Sequence, residues 1–143
     1  MFEFFRGGNI DPSYWGEKLQ AVDRSGGYRE FSEERFHEAI KNDFDQWNFD
    51  GDEEQAAEAR KASWTTIQES DISEDEAPAS AEDAIRRAMD YKCPISGHSF
   101  TDFWDHDLQD HTFRFLWCCY AIQWAIRKYD EAKVPALDRR GAA

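Results

Sequence analysis

Apolar residues recur along this chain at the three-and-four spacing of a helix face, segment after segment. Asp11-Pro12 reads as a helix start, an acid N-cap with proline at the first helical position, and Trp15, Leu19 and Val22 line one face before Gly26-Gly27 ends it. Ser32 is the next cap. Phe31 and Phe36 stand at the two positions of a hydrophobic staple, and Glu33 and Glu34 occupy a first turn where the helix dipole favours acids. Phe36, Ile40, Phe44 and Trp47 then predict a helix to about Asn48, and Gly51 breaks it. Asp52 is expected to cap a third helix that faces inward with Ala57, the Arg60 stem, Trp64 and Ile67. Ser80 with Asp83 resembles a capping box and opens a short helix with Ile85, Ala88 and Met89 inward. Cys93-Pro94 to Gly97 is a turn. Thr101 then caps a segment holding Phe103, Trp104 and Leu108 that leads into the most apolar stretch of the chain.

That stretch, residues 113–129, is apolar or aromatic everywhere except Arg114, Gln123, Arg127 and Lys128. A helix apolar nearly all round is expected to be buried on most sides. The run is shorter than the roughly twenty residues a bilayer needs. The resulting expectation is an all-α fold: one domain over 1–143, a bundle of four to six helices around a buried central helix at about 112–130. Phe2, Phe4 and Phe5 are set to dock on that core, with a period that does not decide their conformation. Residues 134–143, with Pro135 and Gly141, form a polar tail. Residues 69–80, ESDISEDEAPAS, have few apolar positions and read as an acidic flexible loop.

Six Trp and eleven Phe add large side chains for a core. The three cysteines are odd in number, and the adjacent Cys118 and Cys119 point about 100° apart on a helix, which fits a reducing, cytoplasmic compartment. The N-terminal residues lack a basic region followed by a long apolar run, so no signal peptide is expected.

The charge changes the picture most. With 30 acids and 17 bases the net is −13, which argues against direct binding to nucleic acid or to an anionic membrane. Residues 43–83 alone hold fourteen acids and two bases, net −12. Carboxylates three or four residues apart on a helix lie about 5–6 Å apart at their Cβ atoms, and duplex DNA carries a charge every ~3.4 Å along each strand. Asp43, Asp45, Asp50, Asp52, Glu53, Glu54, Glu58, Glu69, Asp71, Glu74, Asp75 and Glu76 are therefore the candidate partner-binding residues, facing a basic protein surface. In composition and size, though in no motif, the chain is similar to small acidic proteins of phages and mobile elements that block nucleases. The expected function is that of a non-enzymatic binding protein, an inhibitor imitating a phosphate backbone, with no cofactor. The ordinary alternative is a solvated acidic face.

Candidate chemistry is confined to Asp102–His111. If helical, His106 with Asp110 and Asp107 with His111 would each share a face, a carboxylate–imidazole spacing that can hold a first-row metal, and Cys93 and His98 could add ligands. A small metal-dependent enzyme or metal-stabilised domain is thus the second reading. The same spacing also makes ordinary exposed pairs, and it matches no specific metal signature. Cys118 and Cys119 lie in surroundings too apolar for a reactive thiol. Asp43, Asp45, Asn48, Asp50 and Asp52 fail the calcium-loop template: counted from Asp45, Trp47 falls at the third, ligand position, and counted from Asn48, Glu53 falls where the glycine belongs.

Overall fold

The computed structural model describes residues 3–6, 8–19, 27–70, 72 and 77–141, with side chains except at 3, 4 and 134–141. The chain is mostly helical, with a small two-stranded sheet. It contains α1 (Glu3–Arg6), α2 (Pro12–Glu17), β1 (Arg29–Phe31), α3 (Glu33–Asp45), α4 (Glu53–Gln68), α5 (Ala81–Asp90), a 3-10 turn (Phe103–Asp105), β2 (Gln109–His111) and α6 (Phe113–Gly141). Two compact units divide it: residues 1–30 with 111–143, and residues 31–110. We call these the terminal unit and the inner unit.

In the inner unit the capping chemistry works as read. Ser32 Oγ accepts from the Arg35 N–H at 3.3 Å, Asp52 Oδ1 from Gln55 at 2.9 Å, and Ser80 Oγ from Asp83 at 3.2 Å. Each satisfies one of the orphan donors of a first helical turn. The Phe31 and Phe36 rings lie 6.2 Å apart, as the staple requires. At the start of α5, Asp83 also accepts from the Ala79 N–H at 3.2 Å and pairs with Arg86 and Arg87. The Arg86 hydrogen bond, followed by that from Ala79, holds its carboxyl below the usual aspartate range.

The inner unit has its own aromatic core. Phe36, Ile40 and Phe44 come from α3, Ile67 from α4, Ala84 and Ala88 from α5, and Cys93, Phe100, Phe103 and Leu108 from the segment after it. Phe103 meets Phe36 edge-on at 5.9 Å. Trp47 stacks on His98 at 4.9 Å and 14°. Its buried position survives although α3 ends at Asp45, short of the expected Asn48. Arg60 lays its guanidinium 5.6 Å from the Phe44 ring and 5.1 Å from that of Phe49, and donates to the Trp47 carbonyl at 2.9 Å. It caps the α3–α4 junction with both its stem and its charge. Gly51 makes the turn between these helices at φ +115°, a left-handed conformation that side chains resist. Two inward assignments fail, since Ala57 and Met89 are exposed.

Within 69–80, Asp71 and Ser73–Glu76 lie outside the described residues. Ile72 and Pro78, however, are buried, and Ile72 belongs to the core. The acidic loop is therefore pinned by two apolar residues.

In the terminal unit, Asp11 caps α2 by accepting from Tyr14 at 3.0 Å, but the helix ends at Glu17 and Leu19 is exposed; Val22 lies outside the described residues. Trp15 packs edge-on against Phe5 at 4.9 Å. Tyr28 packs on Phe115 at 5.3 Å and stacks with His111 at 6.1 Å. Thr112, rather than Thr101, caps the long helix: its Oγ1 accepts from Phe115 at 3.2 Å. α6 meets α1 through an Arg6–Asp130 pair at 3.1 Å, and just beyond α1 the Gly8 carbonyl accepts from Gln123 at 2.6 Å.

The expected burial of residues 112–130 does not hold. Phe113 is 80%, Tyr120 65%, and Trp117 and Trp124 62% exposed, and among the described side chains of this helix Cys119 is the buried one. Phe115, Leu116, Ala121, Gln123, Ile126 and Asp130 are half-covered, most of them on the side of Cys119. The bundle around a central helix is thus replaced by a core built on α3, and α6 continues to Gly141 across the supposed tail.

Phe36→Ala should therefore destabilise the inner unit by about 3–5 kcal/mol, the cost of emptying a fully buried phenylalanine site. Urea titration followed by far-UV circular dichroism checks this. A loss below about 1 kcal/mol would show that the core is not centred there.

Candidate functional site

The acidic residues divide into paired and unpaired sets. Asp43, half-buried on α3, places both oxygens 3.0 Å from His106 Nε2. Asp45 pairs with Lys41 one helical turn away at 2.5 Å. Asp43 is tied into the fold, and the Asp45 pair lies exposed on the surface. Asp50, Asp52, Glu53, Glu54, Glu58 and Glu69 are exposed, and among the described residues none of them forms an ion pair. Five of them lie in and just before α4: Asp50 precedes its start, Asp52 is its N-cap, Glu53 and Glu54 fill its first turn, and Glu58 follows Glu54 at one-turn spacing. Glu69 closes the helix at its C-cap. Asp71, Glu74, Asp75 and Glu76 lie outside the described residues.

The Asp102–His111 segment is not a helix, and the shared faces expected of it do not exist. Asp102 is left-handed at φ 55°, a 3-10 turn follows, and Gln109–His111 is a strand. His106 bonds Asp43 instead. Asp107 and Asp110 approach Arg35 at 3.9 and 3.6 Å. These are exposed pairs of little energetic weight. His111 belongs to the terminal unit, between Tyr28 and Phe115. Among the described residues no group of three or more His, Cys, Asp or Glu is placed to hold a metal ion. The physical reason is not local: Leu108, in extended chain just before β2, turns inward to a core built by α3, α4 and α5.

The polar feature that the sequence signalled least clearly surrounds Cys93. The Cys93–Gly97 turn is closed by the Gly97 N–H donating to the Cys93 carbonyl and the Cys93 N–H to the His98 carbonyl, both at 2.8 Å, next to a Lys92–Ser99 bridge. Burial pushes the Cys93 thiol up. The hydroxyl and N–H of Ser96, the hydroxyl of Ser63 and the N–H of Ile95 outweigh it and bring the thiol down from 9.0 to about 7. Tyr91 is pushed up to about 12, by burial and then by the neighbouring Cys93. The Ser63 and Tyr91 hydroxyls reach toward that sulfur without a partner at regular hydrogen-bond geometry, and His98 Nδ1 is likewise buried and unpaired. Ser63 on α4 gives no hint in sequence of lying beside Cys93. With the thiol 1% exposed, this cluster tunes a buried group and is closed to substrates.

Fold and surface together define a mostly helical chain with one strongly acidic unit. Compared with known proteins, it matches no protein-family model, no curated protein and no solved structure significantly. No described helix is long and apolar enough to cross a membrane.

Two outcomes follow from these contacts. In a double-mutant cycle, Asp43→Ala and His106→Ala should each cost about 1–3 kcal/mol and be non-additive, since either change strands the other half-buried partner. Strict additivity would mean that the pair carries no coupling. For Cys93, the folded thiol loses its proton at about 7 and the unfolded one near 9.0. Its contribution is therefore absent at low pH, appears as pH rises above the folded value and is complete above the unfolded value. Unfolding free energy should rise by about 1–3 kcal/mol between pH 6.5 and 9. Cys93→Ala should abolish that rise, and an unchanged slope in the variant would refute the assignment.

Proposed function

We propose that the chain is a non-enzymatic binding protein whose inner unit presents a carboxylate surface to a basic groove on a protein partner. By occupying that groove it would inhibit a nucleic-acid-binding protein or nuclease complex. The reading rests on one observation. Residues 31–110 hold twenty-two acids and seven bases, net −15, while the remaining residues are net +2. The surplus sits on a unit with its own core, so it does not behave as a charged tail. Among the described candidate residues, the six exposed carboxylates from Asp50 to Glu69 without an ion pair are accessible, while Asp43 is held by His106 and Asp45 by the exposed Lys41. A helix of sixteen residues such as α4 spans about 24 Å. That length carries its carboxylates past several phosphate positions of a duplex strand.

Surfaces of this kind act through rate. A cluster of like charges raises association 10- to 10³-fold or so and loses that advantage in salt, whereas one exposed pair is worth ~0.2–1 kcal/mol. Affinity capture at low salt identifies the partner. A combined Asp52→Asn, Glu53→Gln, Glu54→Gln, Glu58→Gln variant should then associate with it about tenfold or more slowly at low salt. Asn retains the α4 cap, so the variant keeps its fold. Raising salt should erase the difference, and duplex DNA should compete with the wild-type chain. A neutralised variant that binds at the wild-type rate in low salt refutes the proposal.

A further inference from the structure

We infer that the outer face of α6 is a self-association surface, occupied by α6 of a second copy of this chain. Phe113, Trp117, Tyr120 and Trp124 follow one another at spacings of four, three and four, and all are more than half exposed. This is the average 3.5-residue period by which two helices keep one seam in register. Ile122 and Tyr129, also exposed, lie about 150–170° further round the helix and are not part of this face. A second side of the helix, about a third of a turn round from these rings, is already engaged, through the buried Cys119, Gln123 on the Gly8 carbonyl and Asp130 on Arg6. An aromatic side chain carries roughly 150–250 Å². At these exposures the four rings leave on the order of 400–650 Å² open, half or more of the ~800 Å² each partner gives to a standard interface. Single exposed residues need no explanation, but a contiguous aromatic patch of that size does.

Charge selects the occupant. A −13 chain is repelled by anionic membranes, which disfavours reading the patch as a lipid anchor. The face itself belongs to the unit that is net +2. Of the two acids between 113 and 133, Asp130 is paired with Arg6 and Glu131 with Lys128 at 2.7 Å. Two copies can thus meet along α6 without opposing rows of carboxylates, in the self-complementary arrangement of a two-fold dimer. The remaining long-range repulsion between copies is screened beyond about 8 Å at physiological salt. Self-association should accordingly tighten as salt rises, the opposite of the acidic unit's behaviour toward a basic partner. The inference does not depend on the proposed function.

Sedimentation velocity of the full chain across low to high micromolar concentrations provides the test. The wild type should sediment at twice its 16.7 kDa chain mass, with association favoured by salt. Trp117→Ser with Trp124→Ser should sediment as a monomer with unchanged far-UV circular dichroism. A wild-type chain that stays monomeric throughout, including one that instead binds phosphatidylserine vesicles, overturns the inference. So does a dimer that persists in the double variant. Should the double variant lose helix content, Phe113→Ser, at the most exposed position, takes its place: a dimer weakened by about tenfold or more supports the face, and an unaltered one refutes it.

Discussion

The inner unit depends on the closure of its own base. Residues 31–110 leave and re-enter the rest of the chain through β1 and β2. The Ser32 N–H donates to the Leu108 carbonyl at 2.8 Å just inside the unit, and the Thr112 N–H to the Tyr28 carbonyl at 2.9 Å just outside it. The two bonds fix the strands as antiparallel and in register. Holding together the ends of so long an excursion costs about 4 kcal/mol of loop-closure entropy, more than two backbone hydrogen bonds recover at about 1 kcal/mol each. The difference must come from the aromatic core, which is why Phe31 and Leu108, beside the strand pairs, both turn inward. Closure and core are mutually dependent: the pairing sets where Ser32 caps α3, and α3 supplies the Phe36 on which the returning Phe103 packs.

This dependence explains why the starts of helices were legible and the path between α5 and α6 was not. Asp11, Ser32, Asp52 and Ser80 act within three residues of themselves, so their sequence neighbours contain the whole interaction. The inward positions of α3 are equally local, because one amphipathic face determines them. The Asp102–His111 segment has no such autonomy. Its helical reading came from the spacing of its acids and histidines. Its conformation is set by Asp43 sixty-three positions earlier, by Leu108 seeking the core and by a strand partner at residues 29–31. Three-residue strands carry too few residues to register a period of two. Ser63 shows the same limit, since its place beside Cys93 arises from the packing of α4 against a turn thirty positions away.

The acidic surface was partly legible. Net charge is a property of composition and needs no fold, so the concentration of acids was visible directly. Which carboxylates remain available was not. Asp43 and Asp45 differ from Asp50 only in having a histidine or a lysine within reach, and for Asp43 that neighbour is distant in sequence. Asp52 serves twice, as the cap of α4 and as part of the exposed set. A surface whose members also hold up the helix that displays them is stiffer than a charged loop, and a stiff array keeps its spacing when a partner approaches.

The reading of α6 failed for a different reason. That a helix apolar on all sides must be covered is sound physics, and the sequence places no wide polar stripe on residues 113–129. The mistake lay in assuming that the cover comes from the same chain. Within one chain the area available to bury α6 is set by what the other helices can spare, and here the amphipathic faces of α3, α4 and α5 are already turned on one another. A chain with 15% aromatic residues has enough apolar surface for an inner core and for one further face. Partition of charge keeps the two uses distinct: the acid surplus is gathered on the inner unit, and the helix with the exposed rings holds three acids and six bases. Had the surplus been spread evenly, carboxylates would flank the rings and oppose any cover for them.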